Sequence, residues 1–396
     1  LHIGINGYFW GQETTGSGQY LRGLLGALAT WAPGDIYTLF APRPADRERP
    51  AALLAGLPNA RLVELATVSS NENLSKLWFE QIAFPRACRA ARVDLAHAPY
   101  FASALLPQRP TVVTVHDLIP LLLPAYRGDA RVRAYMRLVS CAARRAALIL
   151  TDSEASRRDI LRLLRAPAER VRVIYLAAEA HFRPAEHVQL VSALKRKHAL
   201  PECFLLYLGG FDQRKNIAFL LRAFAEALKA FPADQTRPRL VLAGQLPRED
   251  SDFAPDPRRM IREWGLEGSV QCIGRVSEED KPLLYAAAEW FVFPSLYEGF
   301  GLPVLEAMSC GAPVIVSSTS SLPEIVGEGG ILADPTDVEA WAEALVRGWS
   351  QPERRAALRE RALKQAAQFS WTKAALETRH AYQQAFQRRV IVRESQ

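Results

Sequence analysis

The segment Trp290–Ser317 reads WFVFPSLYEGFGLPVLEAMSCGAPVIVS. Trp290–Phe293 is an apolar run of strand length, and Pro313–Ser317 is a second one. Between them Pro303 opens a helix that runs to Cys310, because proline suits a first helical position. Gly299 and Gly301 leave the loop before it open to close approach. A strand, a glycine loop, a helix and a further strand make one step of a parallel α/β fold. Ligands of such folds sit where strand ends meet helix starts. Glu298 falls in that loop and Glu306 near one turn into the helix. Val304, Leu305 and Met308 point toward a core.

The same alternation extends outward in both directions. Toward the N-terminus, His2–Asn6, Ile36–Ala41, Thr111–Val115 and Leu148–Thr151 read as strands. Gln19–Thr30 and Ala130–Ala147 read as helices. In the second half, Phe204–Leu208, Leu240–Ala243 and Val270–Ile273 read as strands and Ile217–Phe231 as a helix. Val338–Trp349 begins a helical tail. With 396 residues, two domains are expected. The join falls near residue 180, in the loop-like Ala177–Pro184. The last helices, from Trp371 to Phe386, carry aromatic residues at helical spacing and need a surface to pack on.

Composition narrows the function. The chain is 49% hydrophobic and 23% charged, the values of an ordinary globular protein, so disorder and fibrous structure are excluded. The net charge of +7 favours anionic ligands without choosing among them. The five dispersed cysteines have no C-x-x-C and suggest a reducing, cytoplasmic setting. The seven histidines show no metal-ligand spacing, and no metal or other cofactor is expected. No apolar run is long enough to span a bilayer. The first residues form a strand-like segment without a signal-peptide core.

Four segments have the placement of a ligand site. Thr14-Thr15-Gly16-Ser17-Gly18-Gln19 lies between the first strand and first helix, but is neither a dinucleotide fingerprint nor a Walker loop. His116-Asp117 follows the strand Thr111–Val115; a turn-capping Asp beside a buried His is the plainer reading. Gly209-Gly210-Phe211-Asp212-Gln213-Arg214-Lys215-Asn216 runs from strand to helix, with Asn216 as the expected N-cap. Arg214 and Lys215 sit at the helix entrance, where anions are favoured, with Lys215 expected to be exposed; a solvated Arg-Lys pair is the plainer reading. The fourth is the Glu298–Glu306 segment. There a helix-start carboxylate, kept ionised by the helix dipole, accounts for Glu306 but not for the whole constellation.

Together these segments resemble retaining glycosyltransferases of family 4. The resemblance rests on Glu298-x7-Glu306 with its continuation to Val314, and on Gly209-Gly210 with Arg214-Lys215-Asn216. Gly16–Gly18, His116 and Thr151-Asp152-Ser153-Glu154 complete it, in the family's order and over nearly the whole chain. His116-Asp117-Leu118-Ile119-Pro120-Leu121 is further similar to a bacterial mannosyltransferase branch that builds surface polysaccharides. The implied fold is GT-B: two Rossmann-like α/β domains facing a cleft. The N-terminal domain would be residues 1–180 plus a crossing helix at about 371–396, and would bind the acceptor. Residues 181–370 would bind the nucleotide sugar.

Roles follow from the resemblance. Arg214 and Lys215 would grip the diphosphate, Glu306 the ribose, and Glu298 the donor sugar. His116 would lie under the transferred sugar. Phe300, Gly301 and Leu302 would face the donor, and Arg275 and Val276 would frame the base. Gly16, Ser17 and Gly18 would approach the phosphate. Many family members carry Arg where this chain has Gly210, which shifts the phosphate contact toward Arg214 and Lys215. The implied reaction moves a hexose, best matched by mannose from GDP-mannose, onto a glycan or glycolipid. It would proceed with retention by same-face attack.

Competing readings are a UDP-sugar-dependent transferase, another GT-B enzyme such as a sugar-nucleotide epimerase or a phosphorylase, and a non-catalytic sugar-nucleotide-binding protein. Nucleic acid is not an expected partner. The helix at Ala130–Ala147 carries Arg131, Arg133, Arg137, Arg144 and Arg145. It is either a solvated basic face or a peripheral contact with the inner membrane face.

Overall fold

The computed structural model describes residues 1–12, 15–43, 54, 56–66, 68, 71–231 and 237–394, with side chains to 388. Thr14 of the first glycine segment lies outside the described residues. The chain divides into two compact units: Leu1–Leu176 with Ser370–Gln396, and Ala177–Phe369.

The first unit is built on a seven-stranded parallel sheet. Its strands are β1 (His2–Asn6), β2 (Ile36–Pro42), β3 (Ala60–Leu65), β4 (Leu95–Ala98), β5 (Thr111–Thr114), β6 (Leu148–Thr151) and β7 (Val171–Val173). They lie in the order β3-β2-β1-β4-β5-β6-β7, with Ile3 paired to Tyr37 on one side and to Leu95 on the other. The direction of winding reverses between β1 and β4, which makes their carboxyl ends the switch-point crevice of this sheet.

Helices cover the sheet because their apolar residues recur at helical spacing. In Gly16–Trp31 the buried Leu21, Leu24, Leu25 and Leu28 form one stripe, each worth about 1.5–3 kcal/mol of burial. Thr15 caps this helix by accepting from Gly18 N at 3.1 Å. The helix therefore begins at Gly16, not at Gln19 as the apolar pattern alone indicates. Gly18 is required there, since a Cβ would stand 2.1 Å from the Gln12 carbonyl.

The C-terminal helix Trp371–Glu394 belongs to this first unit. Trp371 packs against Gly23, where an added Cβ would meet the indole ring at 2.4 Å. Tyr382 is fully buried and lies 2.8 Å from His97 Nδ1. His97 Nε2 lies 2.9 Å from Thr114 Oγ1, and Thr114 in turn lies 3.1 Å from the Tyr20 hydroxyl. Burial lowers the His97 pKa to about 3. The ring is thus neutral: it accepts from Tyr382 at Nδ1 and donates to Thr114 at Nε2.

The second unit has a six-stranded parallel sheet in the order β10-β9-β8-β11-β12-β13. These strands are β8 (Phe204–Leu208), β9 (Arg239–Ala243), β10 (Val270–Gly274), β11 (Trp290–Phe293), β12 (Val314–Ser317) and β13 (Gly330–Ala333). Here the winding reverses between β8 and β11. Every residue of β8, β11 and β12 is buried, as a sheet covered on both faces demands. The polar stretch after residue 187 forms the helix Val188–Lys197, which buries only Leu194.

Candidate functional site

The third and fourth sequence segments meet at the switch point of the second unit. Gly209 and Gly210 leave β8 and lead into a tight turn at Gln213–Lys215, then into the helix Ile217–Ala230. From β11 the chain runs through Pro294 and Ser295 to Glu298. Leu296 N donates to the Arg214 carbonyl at 2.8 Å, and Asn216 Nδ2 donates to Pro294 O at 3.2 Å and Pro335 O at 2.9 Å. Asn216 occupies the N-cap position, but its side chain does not cap the helix. It adopts a left-handed backbone, φ 60°, and stitches the two loops together.

The charged residues of these loops converge on one carboxylate. Lys215 Nζ donates to Glu298 Oε1 at 2.7 Å, and Arg214 Nη1 lies 2.8 Å from the same oxygen. Ser295 Oγ donates to it at 2.6 Å. Lys215 Nζ also stands 4.8 Å above the Phe293 ring. The expectation of an exposed Lys215 is therefore corrected: Lys215 and Glu298 are each 8% exposed. Lys215 sits in the tight turn before the helix, which carries it onto the buried end of β11. Burial would raise the Glu298 pKa, but Lys215 and Arg214 outweigh it and hold the group ionised. Burial lowers the Lys215 pKa, and Glu298 offsets only part of that.

Backbone geometry around Glu298 is fixed from the next loop. Ser320 Oγ accepts from Glu298 N at 2.9 Å, and Ser321 Oγ donates to Phe300 O at 2.6 Å. Phe300 is buried edge-on to Phe369, with centroids 5.9 Å apart. Gly301 takes φ 111°, closed to most other residues. The helix then runs Leu302–Ser309, with Pro303 second rather than first, and no side chain caps its start. The positive end of its dipole suits an anion.

Glu306 corrects a second expectation. It lies in the helix near its positive end but is 7% exposed, and burial raises its pKa to about 7. The Tyr285 hydroxyl donates to Oε2 at 3.0 Å, and Lys281 helps the charged form only in part. Desolvation exceeds the fraction of a kcal/mol or so that a helix terminus supplies. Glu306 is thus poised between protonation states.

The remaining expected residues of this unit lie around the same sheet edge. Gly210 is exposed and its carbonyl accepts from the Tyr207 hydroxyl. Arg275, exposed, and Val276, buried, follow β10 at the sheet's end, two strands from the switch point. A cavity of about 510 Å³, lined by His181, Arg183, Glu186, Glu278 and Leu283 among others, contains none of the expected residues.

In the first unit, His116 follows β5 beside Asp152, which follows β6. His116 Nδ1 lies 2.6 Å from Asp152 Oδ2, and Nε2 lies 3.2 Å from the Pro99 carbonyl. Both ring nitrogens thus face oxygen acceptors, an arrangement that suits the doubly protonated ring. Burial opposes that charge, but Asp152 dominates and raises the pKa. Tyr20 packs edge-on to the imidazole at 4.8 Å, which ties His116 to the helix that Gly16, Ser17 and Gly18 begin. Asp117 accepts from Ile119 N at 3.0 Å and makes the expected turn. The role of Asp152 escaped the sequence, since nothing local to it marks a partner 36 residues away.

The basic helix extends over Ala130–Arg144. Its Met136 and Val139 are buried, while Arg131, Arg133, Arg137, Arg144 and Arg145 are exposed. The apolar side is spent on the core, leaving a surface of charge. Among the described residues there is no helix long and apolar enough to cross a membrane, and no cluster of His, Cys, Asp or Glu able to hold a metal.

Comparison with known proteins gives consistent matches. Residues 14–180 match the family described as Glycosyltransferase Family 4, and residues 192–365 that described as Glycosyl transferases group 1. The chain is 38% identical over 300 residues to the O-antigen chain mannosyltransferase B of Escherichia coli, covering 75% of this chain and 76% of that protein. It is 33% identical over 269 residues to the serotype-specific mannosyltransferase WbdA of Escherichia coli, covering 67% of this chain but 32% of that longer one. Among solved structures, sucrose-phosphate synthase from Thermosynechococcus elongatus superposes with a TM-score of 0.76 at 25% identity, covering 98% of this chain and 99% of the other. Two Rossmann-like domains with this likeness make the fold GT-B.

Proposed function

The chain belongs to glycosyltransferase family 4, and from that premise we propose that it transfers mannose from GDP-mannose, with retention, to a glycan or glycolipid acceptor in surface polysaccharide synthesis. The observation that carries the reading is the convergence of Arg214, Lys215 and Glu298 at the switch point of the second unit. Two cations held by one carboxylate, beside an uncapped helix start, form a ready diphosphate site. The arriving phosphates take up the donors that Glu298 now occupies, and Glu298 is released toward the sugar hydroxyls. Ionised Glu306 accepts from the ribose.

Retention by same-face attack fits this arrangement. Glu298, still pinned by Ser295 Oγ, serves as a hydrogen-bond acceptor for the sugar hydroxyls and not as a covalent nucleophile. The departing diphosphate takes the acceptor's proton while Arg214 and Lys215 stabilise its charge.

Mannose is favoured by the two Escherichia coli relatives, both mannosyltransferases. The two cations do the work a divalent metal does elsewhere, so activity survives EDTA. The deciding experiment is a donor panel of GDP-mannose, UDP-glucose, UDP-galactose and UDP-N-acetylglucosamine, read by nucleoside diphosphate release. Release from GDP-mannose well above the others supports the reading, and a UDP-sugar as the preferred donor overturns it.

A further inference from the structure

Five non-glycine residues among those described have a left-handed backbone: Arg92, Arg165, Ala199, Asn216 and Ser320. Arg92, Arg165 and Ala199 stand at helix C-terminal ends, where that conformation is ordinary. Asn216 and Ser320 share a different property: the side chains of both bond the loop that leaves β11 and carries Glu298. Asparagine is enriched in the left-handed region and serine is not, so Ser320, with φ 53°, is the strained one of the two. Strain of this kind persists only where the surroundings enforce it, and it gathers at functional sites.

Ser320 belongs to the run Ser317-Ser318-Thr319-Ser320-Ser321, which leaves the carboxyl end of β12. β12 pairs with β11, so this run lies against the Glu298 loop. Three consecutive hydroxyls grip that loop by its backbone. Thr319 Oγ1 donates to Leu296 O at 3.1 Å, and Ser321 Oγ donates to Phe300 O at 2.6 Å. Between them Ser320 Oγ accepts from the amide of Glu298 itself, at 2.9 Å. The loop has no regular secondary structure, and these bonds stand in for the ladder that would otherwise fix it. In the free protein the Glu298 side chain is held as well, by Lys215, Arg214 and Ser295. A diphosphate that engages the two cations draws them off the carboxylate. Ser295 and the backbone clamp are then what fix Glu298.

We propose that Ser320 is a positioning residue for sugar transfer: its strained backbone places the hydroxyl that holds Glu298 against the donor sugar once the phosphates have taken Arg214 and Lys215. The proposal rests on the glycosyltransferase reading and adds to it what keeps Glu298 in place after its cations are drawn away. Two substitutions separate support of the reaction from support of the fold. Glycine at 320 loses the hydroxyl and relieves the strain, because it adopts positive φ freely. Alanine loses the hydroxyl and keeps the strain. Activity should follow the hydroxyl, and stability should follow the backbone. A free nucleoside diphosphate has no sugar to present to Glu298, so its binding should not depend on Ser320.

The test compares Ser320→Gly and Ser320→Ala with the unaltered full chain, assayed for nucleoside diphosphate release from GDP-mannose and, in parallel, from UDP-glucose. In both variants kcat should fall about tenfold. The Kd of the matching free diphosphate, read by calorimetry, should stay within about twofold. Thermal melts should separate the two variants, with Ser320→Gly melting about 2 °C or more above Ser320→Ala. Hydrogen exchange of peptides spanning 296–300, which needs no turnover, should quicken in both. Activity kept in Ser320→Gly and lost only in the less stable Ser320→Ala would show a residue that merely supports the fold, and would overturn the proposal. Unchanged exchange would overturn it too, as would a loss of diphosphate affinity as large as the loss of kcat. A preference of the unaltered protein for UDP-glucose sinks the GDP-mannose reading alone, because the Ser320 comparison is then read on UDP-glucose.

Discussion

Lys215 and Glu298, 83 positions apart in the chain, meet at 2.7 Å between the carboxyl ends of β8 and β11, with Arg214 2.8 Å from the same carboxylate oxygen. The pair is both the proposed donor site and part of what holds two loops of the second unit together.

Removing Lys215 should therefore cost stability as well as activity. A buried charge stripped of all partners costs about 3–5 kcal/mol, but Arg214 remains beside Glu298, so Lys215→Met should cost about 1–3 kcal/mol. The double variant Lys215→Met with Glu298→Gln should regain part of that loss and none of the activity. Denaturant titrations of the single and double variants check this. An additive cycle would show that the two side chains are not energetically coupled.

Glu306 should make nucleotide binding depend on pH. With a pKa raised to about 7, the free protein holds Glu306 largely protonated at pH 6. Ribose hydroxyls favour the charged carboxylate, so GDP should bind with proton release below pH 7 and more tightly as pH rises through that value. Calorimetry in buffers of different ionisation enthalpy reads the release directly. In Glu306→Gln the release should vanish and affinity should fall by about 1.5–3 kcal/mol. Glu298→Gln frees the two cations, so GDP should bind that variant at least as well as the unaltered protein while kcat falls. A larger loss of GDP affinity in Glu298→Gln than in Glu306→Gln would reverse the two roles.

His116 owes its charge to Asp152. Its pKa is raised, so its contribution to stability is complete below pH 6.5 and is lost as pH rises through the folded value. Asp152→Asn should lower the imidazole pKa, seen in the NMR titration of its ring protons. It should also draw the alkaline limb of the rate profile to lower pH and reduce kcat about tenfold, ~1.4 kcal/mol. An unmoved titration would mean that Asp152 does not set the ring's charge.

The C-terminal helix is anchored through Tyr382. Removing its hydroxyl in Tyr382→Phe leaves Nδ1 of a neutral, buried His97 unpaired, at a cost of about 1–3 kcal/mol. Thermal denaturation should show the loss. GDP affinity should not change, since Tyr382 and the donor residues belong to different units.

The fold was legible because buried parallel strands announce themselves: Thr111–Thr114, Phe204–Leu208 and Trp290–Phe293 are apolar or β-branched throughout. Strands without that pattern were not. Leu95–Ala98 is four residues long and carries His97, and Ala60–Leu65 mixes Arg61 and Glu64 with its apolar residues. Around the candidate site, spacing brought out Glu298 and Glu306 and the Arg214-Lys215 pair, but not their states. Burial of Lys215 against Phe293 and the raised pKa of a buried Glu306 depend on residues that the fold delivers from elsewhere. The same holds for Asp152 beside His116.

The central claim, mannosyl transfer with retention, is tested most directly by following GDP-mannose and an α-mannoside acceptor with the full chain by NMR and reading the anomeric configuration of the first glycoside formed. The account predicts an α-mannoside appearing in step with GDP, also in the presence of EDTA. A β-mannoside as first product, or no glycoside from GDP-mannose while a UDP-sugar is consumed, would contradict it.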